Sequence, residues 1–71
     1  MSEFEDYLTL DKRKEVLVQR IIRFAQDGYQ YELNKKFALA SGDNNALEEA
    51  DTAIKDLKIA IEIHEQELKS L

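Results

Sequence analysis

Along the second half of the chain, apolar residues return at alternating steps of three and four. Leu47, Ala50, Ile54, Leu57, Ile61, Leu68 and Leu71 keep this spacing, with His64 filling one of the seam positions. The pattern lines up one face of an α-helix, and over more than three heptads it is the a/d seam of a coiled-coil strand. It predicts a helix over residues 46–71. Immediately before it stands Ser41-Gly42-Asp43-Asn44-Asn45. Gly42 is where a preceding helix would need a left-handed closing residue, and Asn45 with Glu48 has capping-box spacing. A turn over 41–45 follows.

The first half predicts a helix over 10–40, with Thr9 or Asp11 as its cap. The capping-box spacing of Ser2 and Glu5 predicts a short helical turn within the N-terminal segment 1–9. Gly28 is a candidate kink, since glycine weakens a helix interior. If the two helices run antiparallel about the turn, facing residues have numbers summing to about 85. Leu17 then meets Leu68, Ile21 meets His64, Phe24 meets Ile61, Gly28 meets Leu57, Tyr31 meets Ile54 and Ala38 meets Leu47. Only Lys35, opposite Ala50, breaks the apolar register. The same sum pairs Arg20 with Glu65, Arg23 with Glu62, Asp27 with Lys58, and Lys36 with Glu49. The expected fold is all-α, one domain over 1–71, an antiparallel helical hairpin.

One alternative reads residues 29–40 as a β-hairpin between two helices. Tyr29, Tyr31 and Leu33, then Phe37 and Leu39, alternate around Asn34-Lys35-Lys36. Against it, the segment holds no Val, Ile or Thr, and its turn lacks Asn-Gly or Asp-Gly.

A hairpin has one internal face, and this chain carries more apolar surface than that face can cover. Val18, Ile22, Ala25, Tyr29, Leu33, Phe37 and Ala40 form a second stripe on the first helix, and Ile59 and Ile63 stand outside the seam of the second. Ala46, Ala53 and Ala60 recur every seven residues beside the seam. Exposed patches of this extent mark interaction surfaces. Val18, Ile22, Ala25, Tyr29, Leu33, Phe37, Ile59 and Ile63 are therefore the candidate protein interface, and the expected assembly is a homodimer forming a four-helix bundle. The alternatives are an unidentified protein partner, or cover by Phe4, Tyr7 and Leu8 folding back.

Length and composition strengthen this expectation. At 71 residues a lone domain is marginal, and small domains are commonly supplemented by disulfides, metals or self-association. Cysteine is absent, which removes disulfides and thiolate metal sites. There is no Pro and there are only two Gly, so little in the chain interrupts helices. No apolar run can span a membrane, and the opening Met-Ser-Glu-Phe-Glu-Asp lacks the basic and apolar regions of a signal peptide. A cytoplasmic protein is expected.

Charge and chemistry then narrow the function. The net charge is −5, distributed as −4 over residues 1–11, +4 over 12–40 and −5 over 41–71. The one His, the absent Cys and the three Ser at positions 2, 41 and 70 supply no convergent nucleophile, base or metal site. No catalytic, cofactor-binding or metal residues are assigned. A bundle di-metal motif would need Glu three residues before His64, where Ile61 stands. His64 reads as a seam residue that sets register, with a pH switch as the sharper alternative. Lys12, Arg13, Lys14, Arg20 and Arg23 form the basic cluster that a small nucleic-acid-binding bundle would use, but the net negative charge disfavours such a partner. Glu48, Glu49, Asp51, Asp56, Glu62, Glu65 and Glu67 read as a solvated acidic face. The expected function is a non-enzymatic protein-interaction module: an adaptor, chaperone or inhibitor acting through helix contacts.

Overall fold

The computed structural model describes residues 3–71. A 3₁₀ turn, Glu5–Tyr7, leads into helix α1, Leu10–Ser41, which is followed by helix α2, Asn44–Ser70. The two helices pack antiparallel as a hairpin measuring 50 × 17 × 17 Å. The long dimension is set by α1, since 32 residues at about 1.5 Å each give about 48 Å. No strand occurs among the described residues, and α1 runs unbroken through Gly28 and 29–40, which overturns the β-hairpin alternative. Tyr29, Leu33, Phe37 and Ala40 fall at helical spacing, and that period prevails over the local alternation.

The ends of the helices are fixed by side chains and one glycine. Thr9 caps α1, its hydroxyl oxygen accepting from the Lys12 N–H at 3.1 Å. At the other end Gly42 adopts φ 73° and ψ 21°, and the N–H groups of Gly42 and Asp43 both donate to the Ala38 carbonyl. This left-handed closure satisfies a carbonyl that the ending helix would leave open. Asp43 then starts α2: its Oδ1 accepts from the Ala46 N–H at 3.0 Å, and its carbonyl accepts from Leu47 N–H. The predicted Asn45–Glu48 capping box is therefore corrected, with α2 starting two residues earlier. The reason is that Gly42 delivers Asp43 directly to the cap position, and a carboxylate there also meets the positive end of the helix dipole. The predicted Ser2 cap lies outside the described residues.

Between the helices the predicted seam closes except at Tyr31, which is 38% exposed rather than buried against Ile54. Ala38 and Ala50, 3% and 2% exposed, are the buried residues among those described. Both sit near the turn, where two small residues let the backbones approach. Leu17, Ile21, Phe24 and Gly28 on α1, and Leu47, Ile54, Leu57, Ile61, His64 and Leu68 on α2, are half-buried. Lys35, the one seam misfit, is half-buried and reaches out of the seam to Asp51, Nζ to Oδ1 at 2.7 Å. None of the four predicted charge pairs comes within 4.0 Å. A constant sum fixes height along the hairpin but not the side. One residue turns a side chain by about 100°. Arg20, Arg23 and Asp27 each precede a seam position on α1, whereas Glu65, Glu62 and Lys58 each follow one on α2. In an antiparallel pair those positions point to opposite sides, and Lys36 and Glu49 are split the same way.

Candidate functional site

The residues predicted to lie outside the seam are in contact with solvent. Val18, Ile22, Tyr29, Leu33, Phe37, Ile59 and Ile63 are between 42% and 77% exposed, and Ala25 is exposed as well. The described part of the N-terminal segment, residues 3–9, does not cover them. Phe4 and Tyr7 are themselves 71% and 86% exposed, while Leu8 lines a hollow at the open end of the hairpin with Glu5, Arg13, Val16, Leu17 and Leu71. Fold-back of Phe4, Tyr7 and Leu8 over the stripe is thereby excluded.

These apolar residues do not form one patch. The Lys35–Asp51 ion pair marks one long side of the hairpin, and the Arg20–His64 contact marks the other. Val18 and Ala25 follow seam positions on α1, as Asp51 does on α2, so they lean to the Lys35–Asp51 side, with Ile22 and Tyr29 one step further round. Phe37 shares a hollow near the turn with Tyr31, Asn34, Ala38, Ala46 and Ala50, on the opposite side. Ile63 borders a hollow with Leu17, His64 and Glu67, also on the opposite side. Leu33 and Ile59 stand near the backs of their helices. The α1 row Val18, Ile22, Ala25, Tyr29 and Leu33 is continuous, whereas Phe37, Ile59 and Ile63 lie away from it.

The basic cluster disperses in a similar way. Lys12 pairs with Glu15 at 3.2 Å. Arg13 is half-buried in the open-end hollow, its Nε shielded and without a hydrogen-bond partner. Lys14 is exposed. Arg20 and Arg23 share a shallow hollow with Phe24. Arg20 is already engaged: its Nε–H donates to His64 Nε2 at 3.0 Å, and its guanidinium lies 5.6 Å from the Phe24 ring centre. His64 Nδ1 is 2.6 Å from the Ala60 carbonyl, and the ring packs edge-on against Phe24 at 4.9 Å. Both ring nitrogens of His64 therefore lie within hydrogen-bonding distance of a partner. The Arg20–His64 bond was not foreseen from the sequence, although Arg20 precedes the seam residue Ile21 at the level of His64.

Among the described residues, no three His, Asp or Glu side chains are placed to hold a metal. No helix of the hairpin is long and apolar enough to cross a membrane. The hollow near the turn also holds Ser41, Asp43 and Glu49, but the Ser41 hydroxyl donates to the Ala38 carbonyl and the Asp43 carboxylate accepts from the Ala46 N–H as the α2 cap. No protein family, curated protein or solved structure matches this chain.

Proposed function

We propose that the protein is a non-enzymatic interaction module, of adaptor, chaperone or inhibitor type, that works in the cytoplasm through helix–helix contacts of the coiled-coil kind. The observation that carries this reading is the continuous α1 row Val18, Ile22, Ala25, Tyr29 and Leu33, which remains in water after the hairpin has closed and the N-terminal segment has been placed. Apolar surface of that kind on a small helical chain supports a role in association. A homodimer is the first expected form. The test is sedimentation over a concentration series, with thermal melts and a hydrophobic dye. A dimer whose melting temperature rises with concentration fits the reading, as does a dye-binding monomer. Ile22→Glu should then dissociate the dimer or abolish dye binding, because it places an unpaired charge in the contact. A monomer without dye binding would overturn the proposal.

The second reading, nucleic-acid binding, has Arg20, Arg23 and the Phe24 ring in its favour, since these line one hollow. The engagement of Arg20 by His64 and the net charge of −5 weigh against it. Salt-dependent micromolar binding to generic DNA or RNA would reverse the order.

A further inference from the structure

The exposed row on α1 has a symmetry of its own. Extended by one charged residue at each end, it reads Glu15, Val18, Ile22, Ala25, Tyr29, Leu33 and Lys36. On a helix of 3.6 residues per turn these positions fall within an arc of about 80°. The spacing is the same from either end: three then four from Glu15 to Ile22, and three then four from Lys36 back to Tyr29. The chemistry is nearly palindromic as well: about a centre between Ala25 and Gln26, Val18 mirrors Leu33 and Ile22 mirrors Tyr29, Ala25 mirrors the polar Gln26, and the tips are charged. There the signs are opposite, Glu15 at one end and Lys36 at the other. Such a row is complementary to itself when turned end over end, as a two-fold interface between identical chains requires. Among the described residues Lys36 has no ion-pair partner within 4.0 Å, and Glu15 is engaged only by neighbours on its own helix, Lys12 at 3.2 Å and the Gln19 amide at 3.4 Å, with about half of the Lys12 and Glu15 side chains exposed.

Resting on the reading of this row as an interaction surface, we infer that its occupant is a second copy of this chain. The copy packs antiparallel on α1, with the two-fold axis passing between Ala25 and Gln26. Val18 meets Leu33 of the second copy, Ile22 meets its Tyr29, and Glu15 meets its Lys36. Ala25 sits at the crossing, where a small residue allows close approach. The surface inventory agrees. The hairpin exposes 5887 Å², about 1,300 Å² more than the roughly 4,600 Å² expected for a folded monomer of this mass. That excess exceeds the ~800 Å² that one partner contributes to a stable interface. The assembly is thus four helices with the two α1 helices as the central pair.

Single cysteines test this directly, because the chain has none of its own. Ala25→Cys and Gln26→Cys, both at exposed positions, should each cross-link to themselves under mild oxidation or with a short bifunctional maleimide. Leu33→Cys should not, since its two copies would lie about 22 Å apart along the axis, but an equal mixture of Leu33→Cys with Val18→Cys should. Glu15→Lys or Lys36→Glu alone should weaken the dimer about tenfold, because the two-fold axis counts each lost pair twice, and the double variant should restore it. A wild-type chain that stays monomeric at all concentrations yet binds dye would overturn the second copy as occupant and leave the interaction reading standing. A dimer that cross-links through Phe37→Cys and Ile63→Cys, and not through Ala25→Cys or Gln26→Cys, would overturn the inferred axis while retaining self-association.

Discussion

Asp43 receives the chain from a left-handed glycine and opens α2 with its carboxylate, so one side chain carries the start of the second helix. Asp43→Ala should lower stability by about 1 kcal/mol, the usual loss on removing an N-cap. Asn45→Ala, within the first turn, should change it little. Chemical denaturation of the two variants separates these roles, and the reverse order would return the cap to Asn45. Gly28 offers a second test. Its φ is not positive, and a Cβ built there meets no atom within 4 Å. Neither turn nor close packing requires glycine, so Gly28→Ala should stabilise the hairpin by about 1 kcal/mol, seen as a higher melting temperature. A loss of stability would mean that Gly28 serves a contact outside the hairpin. The His64 pair with Arg20 was hidden from sequence because it joins a seam residue to a flanking one, a pairing that hydrophobic spacing does not report.

The two helices and their register were legible because burial imposes a period, and the period of α2 is unusually clean. Leu47 through Leu71 faces inward as the three-four spacing requires, and the Gly42 break falls where α1 ends. Two things were not legible. The start of α2 moved by two residues because asparagine and aspartate compete for the cap, and only the geometry after Gly42 decides between them. The lateral charge pairs failed because a linear sum carries no azimuth. This has a measurable consequence: a double-mutant cycle on Lys35 and Asp51 should give a coupling of a few tenths of a kcal/mol, as for other exposed pairs. The same cycle on Arg23 and Glu62 should give none. A coupling in the second pair would place those side chains on one side of the hairpin after all.

At the scale of the molecule, the hairpin has a radius of gyration of 15.9 Å, against about 11 Å for a compact chain of this length. Its interior among the described residues consists of one seam with two buried alanines, too little to account for the apolar residues on its surface. The expectation of a surplus face came from counting apolar positions against available faces. Phe37, Ile59 and Ile63 count as surplus with Ile22 and Tyr29 by spacing alone, whereas helix packing distributes them over separate sides. Which surfaces are contiguous depends on azimuth, as the charge pairs did.

The two-residue connection at Gly42 and Asp43 also decides where the seam contacts are made. If that corner straightened, α1 and α2 would merge into a single helix of about 90 Å. Two such chains lying antiparallel could then exchange the same seam contacts between molecules. Hairpin and exchanged dimer would have nearly the same interior, and the corner, together with the high effective concentration of a tethered neighbour, holds the chain in the folded-back form. Gly42→Ala removes that preference twice over. It strains the left-handed position by about 1 kcal/mol and favours continuous helix by about as much again. The variant should therefore populate a strand-exchanged species as concentration rises, visible in small-angle scattering as a longest dimension growing from near 50 Å toward 90 Å. One glycine thus separates a self-contained hairpin from an open-ended exchange of halves.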